Sequence, residues 1–332
     1  MHRRQFMAAA AGGIATGMLS ACGASMKPWT VESPTGLLKA TDAAGWSAAR
    51  RFAPLKFGKI AYVERGSGPA ALFLHGFPVS SFQWRGAFDR LAGERRCVAA
   101  DFLGLGFTEV APGQSCAPSQ QVEMLAALLD SLSIATVDLF GNDSGGAVAQ
   151  LFTVRYPQRV RTLLLTNCDV EPDSPPPALQ PVLAAAREGK FAETWLAPSV
   201  ANKSLARTKD GLGGATFTYP QNPTDEAIDM YLAPLVSSPE RKKLTDSYAL
   251  ALDPNPLAGI EGSLKQCKVP TRIVWGTGDT IFKQEDAEYL HSILPNSRGV
   301  RRIPGAKLFW PEEFPDVIAE EARKLWAGAK SS

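Results

Sequence analysis

The 332-residue sequence predicts an α/β fold, in which a mainly parallel, doubly wound sheet carries a helical cap insertion. Continuous apolar runs recur along the chain, which is typical of strands covered on both faces. Helical stretches alternate with these runs, as they do in βαβ units. This alternation stops over residues 171–262, where helical patterns occur without a strand run of comparable strength. An apolar share of 45% provides ample core for such a domain.

Eight strands are expected in the sheet. Residues 51–65 indicate two short strands that turn near Gly58. The other runs are residues 70–74, 97–100, 137–140, 160–165 and 271–275, with a weaker one at 299–303. Helical patterns at residues 119–132 and 147–156 separate some of them. The cap of residues 171–262 then lies between the sixth and seventh predicted strands, and it divides the core into residues 46–170 and 263–332.

The N-terminus has the pattern of an export signal. Two adjacent arginines, Arg3 and Arg4, precede a short apolar run and resemble a twin-arginine signal. The run is too short for a standard membrane span. The ending Leu19-Ser20-Ala21-Cys22 resembles a bacterial lipobox, which implies a signal over residues 1–22 and a lipid on Cys22. A plain cleaved signal is the alternative, and in either case residues 23–45 are interpreted as a tether.

These observations limit the possible partners and the location of the domain. The net charge is +2 and the basic residues are scattered, which argues against nucleic-acid binding. We expect a small-molecule substrate, no cofactor, and a lipid anchor on the periplasmic face of a bacterial membrane. The cysteines left besides Cys22 show no metal-type spacing, so no metal is predicted, and their pairing stays open. They are Cys97, Cys116, Cys168 and Cys267.

A turn between a predicted strand and a helix contains the sequence Gly141-x-Asp143-x-Gly145. A nucleophile on such a turn is held in a strained conformation that exposes its side chain, and small flanking residues let the turn close. Two alternatives remain. Ser144 could be the nucleophile, although Asn142 would then occupy the tight place two residues before it. Asp143 could also simply cap the following helix. We favour Asp143 as the nucleophile.

Three motifs in order support a family comparison: HGFPVSSFQWR at residues 75–85, DFLGLG at 101–106 and GNDSGG at 141–146. Together they resemble the haloalkane dehalogenase and epoxide hydrolase branch of the α/β-hydrolases, over roughly residues 50–325. The resemblance implies the α/β-hydrolase fold and attack by Asp143 on saturated carbon, which gives an ester intermediate. It also implies an oxyanion hole from the backbone N–H groups of Phe77 and Ser144, supported by His75 and Trp84.

The family places a carboxylate that orients a catalytic histidine after the seventh strand, where this chain has Asp279. Asp169, at the end of the sixth strand, occupies an alternative acid position used by some dehalogenases. The alternatives are a turn-forming Asp279 and an Asp169 that serves only as a cap hinge.

The histidine itself is missing. Leu308 occupies its expected position in the stretch Gly305-Ala306-Lys307-Leu308. Of the three histidines, His2 belongs to the signal, His75 to the oxyanion loop, and His291 to a helix expected outside the sheet. Phe77 and Ser144 also stand where halide-binding relatives commonly have Asn and Trp.

Three functional hypotheses follow. The first is a cofactor-free hydrolase of a small apolar substrate that uses Asp143 covalently. The second is a non-hydrolytic enzyme in which Asp143 is a general base, approaches Asp279 directly, and gains a raised pKa from like charge. The third is a non-catalytic binding lipoprotein. For the catalytic hypotheses, we expect Asp143, Phe77, Asp279 and Leu308 to converge at the carboxyl edge of the sheet, beneath the cap.

Overall fold

A computed structural model describes residues 41–329. The expected signal over residues 1–22, its lipidation site Cys22, and most of the expected tether lie outside these residues. No helix within 41–329 is long and apolar enough to cross a membrane. Cys97, Cys116, Cys168 and Cys267 are all buried, and each has a free thiol.

The described residues form one nine-stranded, mainly parallel sheet, which confirms the predicted class. Its strands are β1 Arg50–Leu55, β2 Gly58–Arg65, β3 Ala70–Leu74, β4 Arg96–Ala100, β5 Glu109–Val110, β6 Val137–Asp143, β7 Val160–Cys168, β8 Thr271–Gly276 and β9 Ser297–Ile303. The order is β1-β2-β4-β3-β6-β7-β8-β9, with β5 beside β2. Pairs that involve β2 are antiparallel and the others are parallel.

One strand was not expected from the sequence, and one expected strand has only a weak apolar pattern. The two-residue β5 was not predicted, because two residues are too few to give an apolar pattern. Its presence makes β7 and β8 the strands that flank the cap. The weak run at 299–303 is β9, an edge strand with only one buried residue, Ile303. A strand buried on one side alone has no need for a continuous apolar run.

Helices cover both faces of the sheet. Outside the cap they are α1 Ala43–Ala49, α2 Arg85–Leu91, α3 Pro118–Ser131, α4 Ser144–Arg155, α12 Gln284–Ile293, α13 Trp310–Glu313 and α14 Pro315–Ala329. The segment between β7 and β8 contains α5 Gln180–Arg187, α6 Ala197–Ala201, α7 Lys203–Ala206, α8 Leu212–Thr216, α9 Asp225–Val236, α10 Pro239–Leu250 and α11 Glu261–Leu264, with a π-helical turn at Ala192–Leu196. This segment is the helical cap.

The folded chain begins before the expected end of the tether at residue 45. Helix α1 starts at Ala43, and its N-cap Asp42 accepts a 2.8 Å hydrogen bond from the Gly45 amide. Thr41 donates its amide and hydroxyl to the two carboxylate oxygens of Asp89, at 2.8 and 2.6 Å. Trp46 is fully buried. Capping and long-range hydrogen bonds therefore fix residues 41–45, the last part of the expected tether, against the folded domain.

Candidate active site

Asp143 lies at the junction of β6 and α4 in a strained backbone conformation. Its φ of 57° and ψ of −136° lie in a region that non-glycine residues rarely adopt. The two flanking glycines are required by close packing. A Cβ on Gly141 would lie 2.8 Å from the Gly145 carbonyl oxygen, and one on Gly145 would lie 2.4 Å from that of His75. The sequence therefore forms the sharp turn that its Gly-x-Asp-x-Gly pattern predicts.

Two backbone amides converge on one oxygen of the Asp143 carboxylate. Oδ1 accepts hydrogen bonds of 2.6 Å from the Ser144 amide and 2.8 Å from the Phe77 amide. Both amides belong to the predicted oxyanion hole. They stabilise negative charge on Oδ1, whereas Oδ2 accepts from neither of them.

A buried polar network that the sequence analysis missed holds this arrangement together. The Gln83 side chain accepts from the Gly76 amide at 3.2 Å and donates to Asn142 Oδ1 at 2.6 Å. Asn142 Nδ2 in turn donates to the carbonyl of Leu308 at 3.1 Å. The oxyanion loop, the nucleophile turn and the loop after β9 are thus linked. Gln83 and Asn142 both lie within the motifs at residues 75–85 and 141–146. A polar side chain between apolar neighbours was the signal in the sequence that could have indicated this network.

A cavity of about 220 Å³ lies over the turn, between the core and the cap. Asp143, Ser144 and Phe77 line its floor, together with Leu308. Most of its other walls are apolar side chains of the cap and of the loop after β8, among them Leu179, Val182, Phe191, Leu232, Ile281 and Phe282. Such a cavity accepts a small and largely apolar molecule.

Asp169 is a second buried carboxylate that lines this cavity. In the parallel pairing of β6 and β7, Asp143 lies opposite Cys168, and Asp169 follows immediately. Ser174 Oγ donates to Asp169 Oδ1 at 2.8 Å. Asp143 and Asp169 are only 8% and 7% exposed, so both carboxylates are held in a poorly hydrated environment.

Asp279, which was expected to approach Asp143, is held by partners of its own. Asp279 is not among the residues that line the cavity. Its Oδ2 accepts a 2.8 Å hydrogen bond from Asn167 Nδ2, and its Oδ1 accepts one of 2.8 Å from the Ile281 amide. Asn167 is itself fixed, because its Oδ1 accepts from the Gly276 amide and from Trp310 Nε1. Both oxygens of Asp279 therefore accept hydrogen bonds, and Asp279 itself does not line the cavity.

The cavity raises the pKa of both of its buried carboxyl groups. Burial raises the pKa of Asp143 to about 7, against the opposing effect of its two amide donors, and the charge of Asp169 adds to the increase. Burial likewise raises the pKa of Asp169 to about 6, although the Ser174 hydroxyl favours its ionised form. Near neutral pH, the pair can therefore hold or release a proton.

The positions of Leu308 and the two described histidines leave the usual base position without a proton acceptor. Leu308 lines the cavity and is 1% exposed. His75 Nδ1 bonds the Gly76 carbonyl at 2.8 Å, and its Nε2 accepts from the Phe102 amide at 3.1 Å. Burial lowers the His75 pKa, so the ring shapes the oxyanion loop as a neutral group. His291 is exposed on α12, where its ring bonds Ser297 Oγ.

Trp84, which was expected to support the oxyanion loop, is fully buried in the core. Its ring centroid is 5.5 Å from that of Phe73, and its Nε1 has no hydrogen-bond partner among the described residues. It does not line the cavity. Within residues 41–329, no group of three or more His, Cys, Asp or Glu side chains is arranged to hold a metal ion.

The family model described as alpha/beta hydrolase fold matches residues 69–309. The chain belongs to this family. The haloalkane dehalogenase 2 of Mycobacterium tuberculosis is 27% identical over 266 residues, which cover 79% of this chain and 89% of the relative. The bifunctional epoxide hydrolase 2 of Sus scrofa is 24% identical over 267 residues, which cover 72% of this chain and 48% of that protein.

Solved structures show the same fold. The haloalkane dehalogenase DbeA from Bradyrhizobium elkani superposes with a TM-score of 0.69 at 24% sequence identity, and the match covers 85% of this chain and 98% of that one. These comparisons confirm the predicted branch of the alpha/beta hydrolase fold family, and they support the assignment of the chain as a hydrolase.

Proposed function

We propose that this alpha/beta hydrolase needs no cofactor and attacks a small, largely apolar substrate with the carboxylate of Asp143. One observation carries the proposal. The buried Asp143 side chain lines an apolar cavity while Oδ1 is held by the Phe77 and Ser144 amides. Oδ2 is then the oxygen that meets a bound substrate.

In the first step, Oδ2 forms a bond to an electrophilic carbon of the substrate. The bond from that carbon to its leaving group breaks, and the leaving group departs with the electron pair. A halide leaves as such, whereas the opened oxygen of an epoxide takes up a proton from solvent water. The product is an ester of Asp143 in which Oδ1 is the carbonyl oxygen.

In the second step, water adds to Cγ of Asp143, and negative charge develops on Oδ1. The two amides that already bond Oδ1 stabilise this charge without reorganisation. Loss of one such donor typically costs about 10²–10³-fold in rate. The same two amides therefore serve both halves of the reaction.

Haloalkanes and epoxides are the preferred candidate substrates. The cavity volume of about 220 Å³ and its apolar lining suit short-chain molecules. The matching relatives include a haloalkane dehalogenase and an epoxide hydrolase. The cavity-lining side chains that carry polar hydrogens are Ser144, Trp195, Ser199 and Thr216, and the Ser144 hydroxyl already bonds that of Tyr248 at 3.1 Å.

The test is incubation of the purified protein with n-butyl bromide, butylene oxide and ethyl butyrate. Intact-protein mass and released product are followed together. We expect product from the bromide or the epoxide, and a transient mass gain located on Asp143. The Asp143→Asn variant should show neither, because an amide does not attack saturated carbon. Product formation that survives this substitution would refute the proposal.

A second candidate is a general-base enzyme, which is favoured by the pKa of about 7 at Asp143 and the nearby Asp169. A single turnover in water enriched in the heavy oxygen isotope distinguishes covalent attack by Asp143 from general-base catalysis. Covalent attack transfers an Asp143 oxygen to the first product and leaves the heavy isotope in the protein. General-base attack by water puts the heavy isotope directly into the product.

A further inference from the structure

Resting on the proposed function, we infer that Asp169 is the general base that activates water for hydrolysis of the Asp143 ester. In this role it replaces the missing histidine directly instead of orienting one. The inference depends on the position of Asp169, on the oxygen of its carboxylate that Ser174 does not bind, and on the positions of the other titratable groups near the cavity.

The register of the sheet brings Asp169 beside the ester. Since Cys168 lies opposite Asp143 in the β6–β7 pair, Asp169 leaves β7 at the level of the nucleophile and lines the same cavity. Ser174 Oγ binds Oδ1 and fixes the rotation of the carboxylate. Oδ2 receives no side-chain donor from the described residues, so it can accept a proton from water in the cavity.

The other candidate bases near the site are occupied or out of reach. His75 uses both ring nitrogens, one in a bond to the Gly76 carbonyl of the oxyanion loop and one in a bond from the Phe102 amide of the loop after β4. Asp279 does not line the cavity, and its two carboxylate oxygens accept hydrogen bonds from Asn167 and from the Ile281 amide. Asp210 also lines the cavity, but its side chain is exposed at the cap surface and is well hydrated. Within residues 41–329, Asp169 is thus the buried carboxylate that shares the cavity with Asp143.

Formation of the ester prepares Asp169 for this task. In the free protein, the charge of Asp169 opposes ionisation of Asp143. Conversion of Asp143 to a neutral ester removes its negative charge from the cavity. Because burial raises the pKa of Asp169 only to about 6, this carboxylate is largely ionised near neutral pH, when water must lose a proton.

The step balances without another reactant. Asp169 removes a proton from water while the water oxygen bonds to Cγ of Asp143, and the electron pair of the carbonyl moves onto Oδ1. When this intermediate collapses, the bond from Cγ to the alkyl oxygen breaks. The departing oxygen takes the proton from Asp169, and Asp143 is left as a carboxylic acid that ionises in the next cycle.

The experiment compares the wild type with Asp169→Asn, using n-butyl bromide as the probe and intact mass with bromide release as readouts. We expect the variant to form the adduct within tenfold of the wild-type rate and to release one equivalent of bromide. We expect clearance of the adduct to slow by about 10²–10⁴-fold, which is the usual contribution of a general base. The matched control is Asp253→Asn, an exposed cap carboxylate outside the cavity, which should clear the adduct like the wild type.

A second variant, Asp169→Gly, tests the same role if Asp169→Asn does not fold. In Asp169→Gly, added formate should accelerate clearance in proportion to its concentration, because a small carboxylate can enter the vacated space. A structural role of Asp169 would give no such rescue.

The outcomes separate the inference from the proposed function. Clearance by folded Asp169→Asn at the wild-type rate, or a permanent adduct on the wild type, overturns the role of Asp169 and leaves attack by Asp143 standing. Absence of any adduct on Asp169→Asn, together with absence of product from the wild type, overturns the proposed function itself.

Discussion

The main-chain carbonyl of Leu308 accepts a 3.1 Å hydrogen bond from the side chain of Asn142, the residue before Asp143. This bond fixes the backbone at position 308 beside the nucleophile turn, and it does not depend on the side chain at that position. The side chain of Leu308 faces the cavity that also holds Asp143. A different side chain at position 308 would therefore point at the same reaction centre.

Leu308→His should consequently raise the rate of ester clearance, and most clearly in the Asp169→Asn background. An imidazole at this position supplies a proton acceptor, which is typically worth about 10²–10⁴-fold. Adduct lifetime after a pulse of n-butyl bromide is the measurement. Leu308→Phe, which is apolar and has no acceptor, is the control. An unchanged lifetime in folded Leu308→His would show that position 308 does not reach the ester.

The nucleophile turn could be predicted because its signal is local and steric. Gly141 and Gly145 are required by contacts within a few residues of Asp143 or with the adjoining β3 strand end. The position of Leu308 followed from its spacing within one loop. Such features need no knowledge of how distant side chains rotate.

The choice between Asp169 and Asp279 could not be predicted in the same way. It depends on Asn167, whose side chain binds Asp279 from the neighbouring strand and holds it outside the cavity. Trp84 was likewise placed near the site because of its motif, whereas its apolar ring packs against Phe73. Both outcomes depend on contacts between residues that are distant in the sequence, and such contacts produce no periodic pattern from which they could be predicted.

The rate of adduct formation should rise with pH and level off above about pH 7. Asp143 attacks only when ionised, and burial raises its pKa to about 7. Single-turnover mass measurements between about pH 5 and pH 9 provide the profile. In Asp169→Asn the midpoint should move to lower pH, because the like charge that opposes ionisation of Asp143 is gone. A midpoint near the ordinary aspartate value in the wild type would contradict the described burial.

Asp143→Asn should stabilise the protein more at pH 8 than at pH 5. The folded pKa of Asp143 lies above its unfolded value, so the folded state binds the proton more tightly and wild-type stability falls as pH rises toward about 7. Each pKa unit corresponds to about 1.4 kcal/mol, so the advantage of the variant should grow by on the order of 2 kcal/mol over this interval.

Asparagine suits this test, because it tolerates positive φ and its Oδ1 can keep both amide hydrogen bonds. The free energy of unfolding in urea at the two pH values is the measurement. If Asp143→Asn raised the free energy of unfolding equally at both pH values, Asp143 would not be protonated preferentially in the folded state.

We propose that the enzyme is exported and held at a bacterial membrane by a lipid on Cys22, on the basis of the Leu19-Ser20-Ala21-Cys22 sequence. Cys22→Ala should then move the protein from the membrane fraction to the soluble periplasmic fraction. Fractionation followed by immunoblotting measures the distribution, with Cys267→Ala, a change at a buried thiol of the folded domain, as the control. An unchanged membrane fraction in Cys22→Ala would contradict lipid anchoring.

A buried cluster of three side chains links the cap to the core and should dominate the stability of this contact. Arg85 of α2 pairs with Glu312 of α13 at 2.8 Å, and their side chains are only 13% and 5% exposed. Tyr231 of the cap helix α9 donates to the other oxygen of Glu312 at 2.6 Å. Because removal of one partner leaves the Arg85 charge buried and unpaired, Glu312→Gln should lower the free energy of unfolding by about 3–5 kcal/mol.

Replacement of the whole charged pair should cost less than this single change. In the double variant Arg85→Met/Glu312→Leu, no buried charge remains, so the measured loss should be smaller than that of Glu312→Gln alone. The exposed pair of Arg187 and Asp253 is the matched comparison, and its Asp253→Asn variant should cost less than about 1 kcal/mol. Urea unfolding of all three variants tests the argument. A double variant that is less stable than Glu312→Gln would mean that the pair contributes more attraction than its burial costs.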